Sequence, residues 1–237
     1  MDMPVEKKIV FELNGRSVEA LERETILEAA DRIGVEIPRL CYKEGIRADG
    51  NCRACVVEID GERALAPSCC RYPTDGMKVT SNEGKARHSQ EMVLELLLAD
   101  MPDQKNSPYS LDSELDFWKD KLGVQTSRFP QRHQPAEDES HPAISVHLDA
   151  CIQCTRCVRA CREEQVNDVI GYAWRGTHSA IVFDLDDPMG TSSCVGCGEC
   201  VQACPTGALM PAESCLLYTS DAADEGLGVD LGGRRII

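Results

Sequence analysis

Two stretches decide how this chain is read: Cys151–Cys161, CIQCTRCVRAC, and Cys194–Cys204, CVGCGECVQAC. They share cysteine spacing (x2, x2, x3) and a common Cys-Val-x-Ala-Cys ending, so they form an internal repeat. Three thiols within seven residues of one loop can grip a single inorganic centre from one side. A fourth, carried onto the following helix, points elsewhere. The chain has 14 cysteines in 237 residues, and "MDMPVEKKIVFELNG" offers neither an apolar export segment nor a twin-arginine motif. Without secretion, cysteines grouped in this way read as metal ligands rather than disulfides.

The spacing is that of bacterial ferredoxins, in which the fourth cysteine of each motif serves the other cluster. It predicts one [4Fe-4S] set of Cys151, Cys154, Cys157 and Cys204 and a second of Cys194, Cys197, Cys200 and Cys161. Zinc is the alternative, but zinc sites usually join one Cys-x2-Cys pair to a distant second pair, unlike two matched triplets. Arg162 stands where a proline would usually follow the first motif, which weakens a helix signal and removes no ligand. Pro205 keeps that place in the second.

An N-terminal set adds Cys41, Cys52, Cys55 and the adjacent Cys69 and Cys70. Its spacing suits a loop wrapped around a [2Fe-2S] cluster and closed from the next hairpin, with zinc again the alternative. If Cys69 and Cys70 lie on a strand, only one can face the cluster. Cys69 is assigned to it, and Cys70 is expected to face away as a packed thiol. Around this set, Asn14-Gly15 marks a hairpin in "KIVFELNGRSVEAL". Thr25 and Glu28 form a capping box before "ILEAADRIG". Short strands are expected in "CVVEIDGERALAPSC" and "GMKVTS". The expected fold is α+β: a β-grasp [2Fe-2S] ferredoxin domain at 1–82, a helical connector and linker at 83–143, and a two-[4Fe-4S] bacterial ferredoxin-like domain at 144–213.

A net charge of −15 disfavours nucleic acid. The longest apolar run, near "MVLELLLAD", is too short to span a bilayer. Arg47, Arg53 and Arg71 are candidates to offset the charge of a two-iron cluster, or are simply solvated. Trp118 and Trp174 read as core aromatics. His88, His133, His141 and His178 read as surface residues, and His147 as an alternating strand residue that imitates a ligand spacing.

"LCYKEGIRADGNCRACVVEIDGERALAPSCCRYPTDGM" resembles the N-terminal [2Fe-2S] domain shared by three kinds of protein. They are the large iron–sulfur subunit of respiratory complex I, iron-only hydrogenases, and the α subunit of NAD-dependent molybdenum formate dehydrogenases. The stretch from Cys151 to Glu213 is most similar to the formate dehydrogenase α subunit. The resemblance covers 5–83 and 144–213. It implies electron transfer from formate oxidation, at a molybdopterin centre in a following domain, to flavin/NAD-binding and small ferredoxin-like partner subunits in the cytoplasm. It also implies that this segment has no catalytic centre of its own. Hydrogenase or complex I-like input modules are the alternative, and a zinc-stapled interaction module is the alternative of another class. The family's further [4Fe-4S] site, held by one histidine and three cysteines, has no counterpart in "ADMPDQKNSPYSLDSELDFWKDKLG", which contains neither residue.

Cys215 lies beyond this arithmetic, in "CLLYTSDAADEGLGVDLGGRRII", where composition changes abruptly. Codons that spell this stretch resemble a transposon-end sequencing adapter. Residues 214–237 are therefore expected to be a non-native tail.

Overall fold

The computed structural model describes residues 8–101, 113–132 and 135–212. Cys215, His133 and the tail at 214–237 lie outside the described residues.

Strands β1 (Lys8–Leu13) and β2 (Arg16–Leu21) pair antiparallel across Asn14 and Gly15. Both turn residues have positive φ, 51° and 78°, as a tight two-residue hairpin turn requires. Helix α1 (Ile26–Arg32) begins at a complete capping box, with Thr25 Oγ1 accepting from Glu28 N and the Glu28 carboxylate accepting from Thr25 N. Strands β3 (Val56–Ile59), β4 (Ala66–Pro67) and β5 (Lys78–Thr80) complete a five-stranded sheet of order β2-β1-β5-β3-β4. Strand β5 runs parallel to β1 and every other pairing is antiparallel. Phe11, Leu13, Val18, Val57 and Val79 from the sheet meet Ile26, Leu27 and Ala30 of α1 in one core, and Cys55 and Cys69 belong to it.

Helices α2 (Gly84–Asp100) and α3 (Glu114–Leu122) follow. The buried Gln90 fixes α2 to the sheet, its amide donating to Val56 O at 2.9 Å and Ser81 O at 2.8 Å. Ser113 caps α3 by accepting from Asp116 N, and Gly123 closes it in the left-handed region at φ 76°. These two helices do more than connect. Leu94, Met101, Leu115, Trp118 and Leu122 form a core with Leu40, Cys41 and Ala54 on one side and Ala150, Ile152, Cys154 and Ala208 on the other. Beyond α3, Arg128 N donates to Glu95 and Arg132 N to Ala99 O, so the chain runs back along α2.

The last unit is closed by its own ends, β6 (Ile144–Val146) pairing antiparallel with β9 (Leu209–Pro211). Between them come α4 (Arg156–Arg159), the β7 (Ile170–Ala173) and β8 (Ala180–Phe183) hairpin, and α5 (Glu199–Ala203). A single π turn over Ala160–Glu164 extends α4. Its core mixes Ile144, Val146, Ile170, Ile181, Phe183 and Met189 with six cysteines. Gly190 must be glycine, because a Cβ there would lie 2.2 Å from Ser140 O.

Candidate iron–sulfur sites

Cys69 and Cys70 follow β4 in a turn, so strand alternation is not what separates them. Cys69 is buried with its Sγ 3.4 Å from Cys55 Sγ. Cys70 is exposed rather than packed, yet its Sγ lies only 3.6 Å from that of Cys69. Gly50 makes room for this pair, since a Cβ there would sit 3.1 Å from Cys70 Sγ. Cys52 Sγ accepts from Cys41 N and Ala54 N at 3.4 and 3.5 Å. Hydrogen bonds among the sulfurs pull the Cys41 and Cys55 thiols down, and push Cys52 and Cys69 up. These bonds link Cys52 to Cys41, Cys41 to Cys69 and Cys69 to Cys55.

The eight repeat cysteines divide between two cavities. Cys151, Cys154, Cys157 and Cys204 line one, together with Ile152, Ile181 and Thr206. Cys161, Cys194, Cys197 and Cys200 line the other, together with Ile144 and Met189. The division is crosswise, each cavity drawing the first three cysteines of one repeat and the last cysteine of the other. Burial raises the Cys151, Cys154, Cys157 and Cys200 thiols, Cys151 and Cys200 to about 12, and neighbouring sulfurs add to the effect.

The two ligand loops have the same backbone. Gln153 N donates to Cys151 Sγ, and Gly196 N to Cys194 Sγ, both at 3.4 Å. Gln153 and Thr155 have φ 56° and 60°, where the second loop has Gly196 and Gly198 at 68° and 82°. A left-handed conformation costs glycine little but is uncommon for glutamine and strained for a β-branched threonine. Side-chain bonds offset that cost. Gln153 donates to Ser179 O and accepts from Tyr172 Oη and Ser179 Oγ, while Thr155 Oγ1 accepts from Asn51 Nδ2 at 2.8 Å.

The arginines suggested by sequence pair with carboxylates or face solvent. Arg47 pairs with Asp49 and Glu163, Arg71 pairs with Glu62, and Arg53 is exposed. The buried cations are instead Arg156 and Arg159 of α4, each 3% exposed. Arg159 Nη2 donates to Cys41 O at 2.6 Å and to Cys154 O at 3.3 Å. Arg156 donates to Tyr42 O and forms a two-pronged pair with Glu114. One sequence signal could have found them: the second repeat has Glu199 and Gln202 at the same positions.

Trp118 is buried as expected, but Trp174 is 58% exposed because it turns outward at the end of β7 with φ 59°. His141 is also unlike its surface expectation. It is buried beside Gly196, and its Nδ1 accepts from Ala143 N. His88 and His178 are exposed. His147 follows β6, fully buried, with its backbone N–H donating to Ala208 O at 2.7 Å. Among the described residues no helix is long and apolar enough to cross a membrane.

Comparison with known proteins defines the class. Residues 6–84 match the 2Fe-2S iron-sulfur cluster binding domain family, and residues 141–210 match the ferredoxin-like domain of NADH-quinone oxidoreductase subunit 3. The chain is therefore a 2Fe-2S domain followed by a ferredoxin-like iron–sulfur domain. It is 31% identical to the NADP-reducing hydrogenase subunit HndD of Solidesulfovibrio fructosivorans, over 94% of this chain and 42% of that one. It is 36% identical to an NADH-quinone oxidoreductase subunit of Rhizobium meliloti, over 84% of this chain and 23% of that one. A Staphylococcus haemolyticus protein named for formate dehydrogenase is 27% identical over 87% and 21% of the two chains. The chain thus spans less than half the length of these relatives. Among solved structures, a chain of an NAD+-reducing [NiFe]-hydrogenase superposes with a TM-score of 0.80 at 28% identity, over 87% of this chain and 88% of that one.

Proposed function

We propose that this chain carries electrons through one [2Fe-2S] and two [4Fe-4S] clusters, as part of a larger oxidoreductase. Cys41, Cys52, Cys55 and Cys69 would hold the two-iron cluster. Cys151, Cys154, Cys157 and Cys204 would hold one cubane, and Cys194, Cys197, Cys200 and Cys161 the other. The carrying observation is the crosswise division of eight cysteines between two cavities. The donor chemistry suits such clusters: soft thiolates, apolar walls, and backbone N–H groups aimed at sulfur. When bound, such clusters take up and release one electron at a time. The chain's own part is to exclude water, fix the sulfurs and set the local charge.

The sequence resemblance assigns the parent assembly to the formate dehydrogenase type, with electrons passing from formate oxidation at a molybdopterin centre to flavin and NAD on partner subunits. A second reading, an electron-transfer subunit of a hydrogenase or NADH dehydrogenase-like complex, is favoured by the NAD+-reducing hydrogenase chain that this one overlays nearly end to end. Anaerobic reconstitution of the full chain, followed by iron, zinc and sulfide analysis and low-temperature EPR, tests the shared claim. About ten irons per chain (two plus four plus four) and reducible signals are expected. Stoichiometric zinc with no reducible signal refutes it. The intact complex from its native source then separates the two readings by whether formate or hydrogen reduces the clusters.

A further inference from the structure

The two ligand loops differ in charge where their backbones agree. On α4, Arg156 and Arg159 are buried, while the matching positions of α5 hold Glu199 and the exposed Gln202. Both guanidinium groups lie between the Cys41 set and the Cys151 set. Arg159 Nη2 reaches a cysteine carbonyl from each, Cys41 O at 2.6 Å and Cys154 O at 3.3 Å. Arg156 donates to Tyr42 O, next to Cys41 in sequence, and itself stands between Cys154 and Cys157 in the chain. The countercharges sit on the outer side. Glu114, with its side chain 42% exposed, grips Arg156, and Asp49 Oδ2 lies 3.2 Å from Arg159 Nε. Arg156 Nε has no hydrogen-bond acceptor among the described residues.

Burying two guanidinium groups is costly unless each is compensated. A staple between modules could be built from neutral groups, as Asn51 does by donating to Cys154 O and Thr155 Oγ1. We infer that Arg156 and Arg159 are potential-setting residues, which hold the two-iron cluster and the Cys151-set cubane at higher reduction potential than the Cys194-set cubane. The inference rests on the cluster-binding reading above. Reduction adds one electron to a cluster, with no bond made or broken in the protein. A fixed positive charge beside it, in a medium of low dielectric constant, stabilises the reduced form. Such an arrangement collects electrons at the junction of the two modules.

The test is EPR-monitored redox titration of the reconstituted full chain, with dithionite supplying the electrons. In Arg159→Gln, the residue type of the second repeat, the two-iron and Cys151-set clusters should become at least tenfold harder to reduce, about 59 mV for a one-electron couple. The Cys194-set cubane should stay put, and Arg159→Lys, which keeps the charge, should stay near wild type. Glu114→Gln removes the outer countercharge and should shift the same two clusters the opposite way by about threefold. Unshifted midpoints in Arg159→Gln, equal shifts in all three clusters, or equal shifts in the glutamine and lysine variants would each overturn the inference while leaving the clusters themselves established. If Arg159→Gln fails to retain its clusters, Glu114→Gln decides: an upward shift supports the inference, and no shift or a downward one rejects it. A wild-type chain with zinc and no reducible signal removes the cluster reading and the inference with it.

Discussion

Cys69 and Cys70 hold their sulfurs 3.6 Å apart, one buried in the sheet core and the other open to solvent. Only the buried one also touches Cys55 Sγ. Cys69→Ser should therefore abolish the two-iron EPR signal, whereas Cys70→Ser should keep it. The reverse result would move the fourth ligand to Cys70.

Gln90 is a polar plug in an apolar joint, with both of its acceptors on the sheet side. Replacing it by leucine keeps the volume and strands two buried carbonyls. Gln90→Leu should lose about 2 kcal/mol of unfolding free energy, measured by urea denaturation. An unchanged midpoint would mean that water enters the joint freely.

Gly190 packs its α-carbon against the Ser140 backbone, and its N–H donates to Ser140 Oγ at 2.8 Å. Backbone cannot step aside as a flexible side chain would. Gly190→Ala should destabilise the ferredoxin-like unit by about 1–3 kcal/mol and lower its thermal midpoint, while the sheet domain's two-iron EPR signal persists.

Val166 is 80% exposed with φ 57°, a conformation that a β-branched residue adopts only under strain. Asparagine tolerates that region far better. Val166→Asn should gain about 1 kcal/mol, seen as a higher urea midpoint with unchanged cluster spectra. A loss would indicate that the isopropyl group makes contacts worth more than the backbone strain.

What was legible in the sequence was local. Asn14-Gly15 and the Thr25–Glu28 box act within four residues, and both stand in the structure as the sequence reads. The cysteine repeat was legible because its spacing is fixed by loop and helix geometry. Cys69, chosen from its pair as the ligand, is the buried member, and a turn instead of a strand sets it apart from the exposed Cys70. Arg156 and Arg159 were missed because their partners, Tyr42, Arg47 and Cys41, lie 112–118 residues away. His141 was missed because it sits in a proline-flanked loop with no periodicity to reveal which side faces inward. Trp174 was misjudged because hydrophobicity says nothing of a left-handed backbone that turns the ring outward.

The pairing of β6 with β9 has a consequence for how such a unit is inherited. Ile144 and Pro211 are direct partners, so the chain comes in and goes out at neighbouring points on one edge. A segment with that geometry behaves as a plug-in cartridge: it can be spliced into or deleted from a longer polypeptide without rerouting what flanks it. Interchange of this kind would let one piece of wiring be shared by enzymes that begin from different fuels.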